Sequence, residues 1–219
     1  MATPQARLRL GSCDVLLLGT VPGFVPDGER VAQAFAAFLP DCVALGVPPE
    51  DVRTLERLAR EDPKPPLPEP DDVTERLLGL VGKFGPTAIP SPDLERATAL
   101  ARGASLPIAS LDIDDAEHAA LYTKHVKFRH VVQSNSVKRM LLKDGVEGAD
   151  AYAVAAAWDA AWTRPKGLRR VEEAREEWMA QRLKVLASRH SRILAVVPSV
   201  RMAAVAARLA PAAVAAAPA

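Results

Sequence analysis

The sequence has few of the features that would place it in a membrane or outside the cell. No stretch approaches the roughly twenty uninterrupted apolar residues that a membrane helix needs. The closest, Met202–Ala219, contains Arg208 and two prolines. The first residues, Met1–Gly11, carry arginines but no apolar run behind a basic start, so we expect no signal peptide. These absences predict a cytoplasmic protein with no membrane partner.

Cysteine and net charge are also scarce. Cys13 and Cys42 are the two cysteines, and both border or lie inside apolar runs, which is typical of small core residues in a reducing compartment. A formal net charge of +1 provides no strong field for nucleic acid or for an acidic partner. With 219 residues, 49% of them hydrophobic, the chain can form one sizeable core. We therefore expect a single domain over residues 1–219.

Four short runs that are apolar throughout indicate buried strands of a parallel sheet covered by helices on both faces. They are Asp14–Gly19, Asp41–Val47, Leu106–Leu111 and Ile193–Val197. A helical pattern follows the first run at Glu29–Leu39, with Asp27 as its expected N-cap, and a run of helices is expected from about Asp114 to Arg189. The predicted fold class is α/β: a mostly parallel sheet of about four or more short strands, flanked by helices, with a helix-rich C-terminal half.

Residues 61–72 form the one segment with a strong bias towards proline. The sequence EDPKPPLPEPDD has five prolines in twelve residues. This density excludes a regular helix and favours an extended connector. Because neither flank is long enough for a separate domain, we interpret the segment as a stiff surface loop.

Several residues occur in an order that resembles a known family. A strand ends in Gly-Thr, a second strand begins after Pro-Asp, a third ends in LDID, and a helix near the C-terminus contains AREEWMA. The matching residues are Gly19, Thr20, Pro40, Asp41, Asp112, Asp114, Arg175, Trp178, Met179 and Ala180. In this order they resemble the TraB/PrgY (Tiki-like) family, related to the erythromycin-esterase and ChaN proteins. The resemblance implies an α/β fold and a metal-dependent hydrolase site.

The departures from the family pattern fall on the metal ligands that the resemblance implies. Pro22 stands at the first histidine position, Gly46 at the strand-end glutamate and Arg201 at the second histidine. Proline and glycine provide no side-chain donor, and arginine places a fixed positive charge where a cation would bind. Ala174 also replaces a glutamate beside the helix arginine. We therefore expect no metal and no other cofactor.

Resemblance and departures together predict a non-catalytic domain that acts as a binding or scaffold protein through a crevice at the strand ends. The candidate crevice residues are Gly19, Thr20, Pro22, Gly46, Asp112, Asp114, Arg175, Glu176 and Arg201. Arg175 and Arg201 are expected to converge there with Asp112, either to hold a small anionic ligand or to pair with Asp112, Asp114 or Glu176. The alternative is a hydrolase of peptidase or esterase type, with a site rebuilt from these carboxylates and His118.

Two segments bear on macromolecular partners. Residues 124–143 contain Phe128, no acidic residue and six basic ones, a pattern that can contact phosphates and stack on a base. The basic residues are Lys124, Lys127, Arg129, Lys138, Arg139 and Lys143. We favour a solvated helical hairpin balanced by Asp114, Asp115 and Glu117, so nucleic acid is not expected as a partner. The apolar helix around Val200–Leu209 either completes the core or forms a homodimer contact.

Overall fold

The computed structural model describes residues 4–61 and 69–210, which form a five-stranded sheet between layers of helices. The strands are β1 Gln5–Leu10, β2 Cys13–Thr20, β3 Cys42–Leu45, β4 Ile108–Ser110 and β5 Arg192–Pro198. Their order in the sheet is β1-β2-β5-β3-β4, and all neighbouring pairs except β1 and β2 are parallel. The predicted α/β class and the mostly parallel sheet are confirmed.

Nine α-helices connect and cover the strands in the described part of the chain. They are α1 Val25–Phe38, α2 Pro49–Leu58, α3 Asp72–Val81, α4 Pro92–Gly103, α5 Asp115–His125, α6 Phe128–Lys143, α7 Ala151–Trp162, α8 Lys166–Ala187 and α9 Ser199–Leu209. The proline-rich loop predicted at 61–72 lies mostly outside the described residues, which omit 62–68. No helix in the described ranges is long and apolar enough to cross a bilayer.

The first strand is the one that the sequence analysis missed. β1 pairs antiparallel with β2 at the edge of the sheet, and its residues alternate between exposed and half-buried. Such alternation is typical of an edge strand with one solvated face, whereas β3 and the centre of β5 are buried at every residue, as in a sheet covered on both sides. Gly11, with a φ of 61°, allows the tight turn that joins β1 to β2.

Each face of the sheet has its own apolar core. Helices α8 and α9 cover one face, and α1, α2 and α4 cover the other. Val205 and Leu209 of α9 are buried in the first core, so this helix completes the core, while a homodimer stays a prediction. Cys13 and Cys42 are free, buried thiols of the same core, as expected, and burial raises the pKa of Cys42 to about 12.

A third apolar cluster lies beyond the carboxyl ends of the strands. It joins α3, α6 and α7 to residues that follow β2 and β5, among them Val21, Phe24 and Val200. In contrast, α5 has no buried residue and packs mainly against α8. The carboxyl edge of the sheet is therefore covered by helices, which enclose the polar side chains that emerge there.

Candidate functional site

The buried carboxylate of Asp112 is the centre of the crevice at the end of β4. Arg175 of α8 binds it with two hydrogen bonds, from Nε to Oδ1 at 3.2 Å and from Nη2 to Oδ2. Nη1 of the same guanidinium donates to both carboxylate oxygens of Glu172, at 3.0 and 2.9 Å. Burial alone would lower the pKa of Arg175, but its bonds to Asp112 and Glu172 together raise that pKa above its ordinary value.

Arg201 extends this network from α9. Its Nη2 contacts Asp159 of α7 and lies 3.1 Å from Oε2 of Glu172, while Nη1 lies 3.4 Å from Oε1 of Glu176. Arg208, two turns further along α9, lies 3.0 Å from Oε2 of Glu176. Burial raises the pKa values of Asp159 and Glu176, although the charge of Arg201 lowers both.

The two arginines therefore meet, but not as expected. Arg175 pairs with Asp112, whereas Arg201 reaches Asp112 only through Glu172, whose Oε2 lies within ion-pair distance of both guanidinium groups. Asp114 pairs with neither arginine. It caps α5, where its side chain accepts a hydrogen bond from the Glu117 backbone and its own backbone N–H donates to the Glu117 carboxylate. Of the three carboxylates expected to pair with these arginines, Asp112 pairs with Arg175 and Glu176 pairs with Arg201, whereas Asp114 pairs with neither.

The other strand-end positions of the predicted crevice leave no room for a ligand or are exposed to solvent. A Cβ added to Gly46 would lie 3.0 Å from both Val197 Cα and Pro198 Cδ, because the end of β5 passes directly over it. Gly19 is similarly close to the first residue of α9, Ser199, at 3.0 Å from its Cα. Pro22 is exposed to solvent and does not line the crevice.

Thr20 belongs to a second polar cluster, at the end of β2, which the sequence analysis missed. Its hydroxyl donates to Oδ2 of Asp93 at 2.5 Å, and the Ser91 hydroxyl donates to Oδ1 of the same carboxylate at 2.5 Å. Asp93 is almost fully buried, and this burial raises its pKa against the opposing effect of the two hydroxyls. Asp93 lies in the first turn of α4, where an acidic residue is common, so its position in the sequence does not indicate a buried cluster.

Asp27 is the other buried carboxylate of this cluster. It accepts hydrogen bonds from the Val21 backbone at 2.6 Å, from Arg30 at 2.6 Å and from the Tyr152 hydroxyl. Its expected role as the N-cap of α1 is wrong, because α1 begins earlier and Phe24 occupies the N-cap position. The side chain instead folds back to hold the turn after β2, a contact that no local pattern in the sequence predicts.

Two adjoining cavities border the network. The first, of about 210 Å³, lies at the end of β4 and includes Asp112, Asp115, His118 and Arg175. The second, of about 230 Å³, lies among α5, α6, α7 and α8 and includes His118, Tyr122, Asn135, Lys138, Trp162 and Glu172. His118 lines both. A larger cavity of about 740 Å³ lies between α2 and α4, away from the network. Of the nine candidate crevice residues, the first cavity contains Asp112 and Arg175, whereas the second and the larger cavity contain none.

The residues of the crevice do not fit a metal ion. Within residues 4–61 and 69–210, no three histidine, cysteine, aspartate or glutamate side chains are placed to hold one. The strand-end position of Gly46 has no space for a donor, and Asp112 is held on both oxygens by Arg175. His118 is an exposed residue of α5, and its neighbours Asp114 and Glu117 are occupied in the helix cap.

Comparison with known proteins adds no relative to this description. No protein-family model matches the chain, and no curated protein is significantly similar to it.

Proposed function

We propose that this chain is a non-catalytic domain of TraB-like type that binds a small organic anion in the second cavity, beside the crevice, and does not hydrolyse a substrate. The observation that carries the proposal is the ion network at the strand ends. Asp112 is paired with Arg175, and Glu176 with Arg201 and Arg208, so these carboxylates already have cationic partners. Asp114 holds the end of α5. These contacts favour a binding role over the alternative of a rebuilt hydrolase site.

The same contacts favour the second cavity over the network arginines as the anion site. Arg175 and Arg201 contact protein carboxylates, which leaves them poorly suited to a second anion. Lys138 and His118 line the second cavity, and Lys138 forms no ion pair within the described part of the chain. The pKa of Asp71 is lowered mainly by hydrogen bonds from Thr74, and the positive charge of Lys138 lowers it further.

The rest of the cavity wall determines what kind of anion fits. Tyr122 and Trp162 provide aromatic surface, and Asn135 provides an amide. The volume of about 230 Å³ is below the range of about 300–1,000 Å³ that holds drug-sized ligands. We therefore propose a small carboxylate or phosphate ester with an aromatic or other flat apolar part. The proposal includes a cytoplasmic location, which the two free thiols of the core support.

Titration calorimetry with benzoate, phenyl phosphate and inorganic phosphate tests the proposal. We expect one of the two aromatic anions to bind at one site, and more tightly than inorganic phosphate does. Lys138→Met should weaken that binding at least tenfold, because it removes the cation from the cavity. Lys143→Met is the matched control: it removes an exposed lysine of the same helix outside the cavity and should leave binding unchanged.

Two results would contradict the proposal. One is the failure of all three anions to bind below millimolar concentration, or binding that Lys138→Met leaves intact. The other is a stoichiometric divalent metal in the purified, untagged protein, together with hydrolysis of an ester or peptide substrate that Asp112→Asn abolishes. The second result would favour the hydrolase alternative.

A further inference from the structure

The hairpin of α5 and α6 exposes apolar side chains that no part of the described chain covers. Phe128, at the start of α6, is 83% exposed, and Val132 is 49% exposed. The two residues are four positions apart on one helix, so they lie next to each other on the same face. Together they form an apolar spot on a helix whose inner face is anchored by Val137 and Leu141.

The same hairpin carries an unbalanced positive charge. None of its six basic side chains forms an ion pair with another residue of the described ranges. Asp114, Asp115 and Glu117, which were expected to balance this charge, form no ion pair with these side chains in the described ranges. Lys124, Lys127 and Arg129 surround Phe128 in sequence, and Arg139 and Lys143 lie near the other end of α6.

The hairpin is fixed from below, so this surface is already formed. His130 is buried beneath the start of α6, and its Nδ1 accepts a hydrogen bond from the Lys127 backbone at 3.1 Å. Gly167 of α8 lies so close that an added Cβ would be 2.5 Å from His130 Nδ1. Because the inner side is tightly packed, Phe128 is held outward on a firm support.

We propose that this outer face of α6, defined by Phe128, Arg129, Val132, Arg139 and Lys143, is a docking surface for an acidic partner protein. An acidic helix with apolar residues four positions apart has the complementary pattern: its apolar side chains cover Phe128 and Val132, and its carboxylates meet the basic side chains. The sixteen residues of α6 span about 24 Å, enough for four turns of such a helix.

The aliphatic half of the spot favours a protein partner over a nucleic acid. Phe128 with lysines and arginines is compatible with base stacking and phosphate contacts. Val132 adds nothing to a stack on a base, but it doubles the number of apolar side chains that a protein can bury. The basic residues also lie at both ends of the apolar spot, as charged residues surround the buried centre of a protein interface.

Fluorescence anisotropy with a labelled probe peptide tests the docking surface. The probe is a sixteen-residue helix of glutamates and alanines with leucines at two positions four apart. We expect it to bind the full chain and to weaken at least tenfold with Phe128→Ser/Val132→Ser. Val185→Ser is the matched control, because Val185 is 47% exposed on a different helix, α8, and it should leave binding unchanged. Lys138 stays intact in every variant, so the cavity is not altered.

A charge test and two competitors complete the experiment. Arg139→Gln/Lys143→Gln should weaken the probe, whereas Arg182→Gln/Lys184→Gln on the exposed side of α8 should not. A probe whose leucines are replaced by serine should bind at least tenfold more weakly. The proposal is overturned if the leucine probe does not bind, or if both probes bind equally. It is also overturned if oligouridine or vesicles containing phosphatidylglycerol bind more tightly than the leucine probe does.

Discussion

Two polar clusters at the carboxyl edge of the sheet bury carboxylates by different means. At the ends of β4 and β5, Asp112, Glu172 and Glu176 are balanced by arginines from α8 and α9. At the end of β2, Asp93 is surrounded by hydroxyls, and Asp27 has a single arginine, Arg30, beside a backbone amide and a tyrosine hydroxyl.

This difference separates charge balance from hydrogen bonding as ways to bury an acid. A carboxylate paired with a guanidinium keeps its charge at a lower cost, because the opposite charge compensates for lost hydration. A carboxylate held by neutral donors lacks that compensation, so burial favours its protonated form and raises its pKa, as it does for Asp93. The arginine network should therefore respond strongly to the loss of a cation, and Asp93 should make the stability of the β2 cluster depend on pH.

Arg201→Ala should have the largest effect on stability. The change leaves Asp159, Glu172 and Glu176 without one of their cations, and breaking a buried ion pair of this kind costs about 3–5 kcal/mol. Urea unfolding measures the loss. Arg182→Ala, on the exposed side of α8, is the control and should change the free energy of unfolding by less than about 0.5 kcal/mol. Equal effects of the two variants would mean that the network adds no stability.

Arg30→Ala should have a smaller effect, although Arg30 is also partly buried. Asp27 retains the Val21 amide and the Tyr152 hydroxyl when Arg30 is removed. The main loss is the charged hydrogen bond to Asp27, at about 1.5–3 kcal/mol, together with the hydrogen bonds of Arg30 to the Gly19 carbonyl and the Tyr152 hydroxyl. The same urea titration measures it. A loss greater than that of Arg201→Ala would break the comparison between the two clusters.

Gly46→Ala tests how tightly the end of β3 packs against β5, at a position between the two clusters. The added methyl group would lie 3.0 Å from Val197 Cα, so we expect overpacking of about 1–2 kcal/mol. Gly79→Ala is the control: Gly79 is an exposed residue of α3 with nothing within 4 Å of the added Cβ. That change should stabilise the helix by up to about 1 kcal/mol. If Gly46→Ala were equally stabilising, the strand-end position would be open after all.

Asp93→Asn should have the smallest effect, visible as a change in pH dependence. Because the pKa of Asp93 is raised above its ordinary 3.8 in the folded chain, its contribution to stability is fully present below that value. The contribution is lost as the pH rises through the raised pKa. The stability of the unmodified chain relative to Asp93→Asn should therefore fall with rising pH from about pH 4.

Asp14→Asn provides a control of opposite sign. A hydrogen bond from Arg9 lowers the pKa of Asp14, so the contribution of Asp14 is lost as the pH falls below its ordinary value. Urea midpoints between pH 3 and pH 7 measure both variants. Parallel pH profiles of the unmodified chain and Asp93→Asn would show that burial does not raise the pKa of this carboxyl group.

The sequence by itself determined the parts of the molecule that depend on local pattern. The four runs that are apolar throughout became β2, β3, β4 and β5, because only such runs suit strands with helices on both faces. It also predicted that Arg175 and Arg201 would converge with Asp112 at one edge of a parallel sheet. Arg175 contacts Asp112, whereas Arg201 reaches it only through Glu172. β1 was missed because its sequence, QARLRL, alternates with polar residues and is not apolar throughout.

Only the tertiary structure decided which side chains meet at that edge. Thr20 and Asp93 are 73 residues apart in the chain, and Tyr152 and Asp27 are 125 apart, so no periodicity or spacing connects them. Asp27 has the residue type of a helix cap, and its local sequence fits that role. Its carboxylate instead accepts a hydrogen bond from the turn after β2. Asp27 is fully buried, so water cannot solvate the carboxylate, and the charge is stabilised only by hydrogen bonds from nearby protein donors.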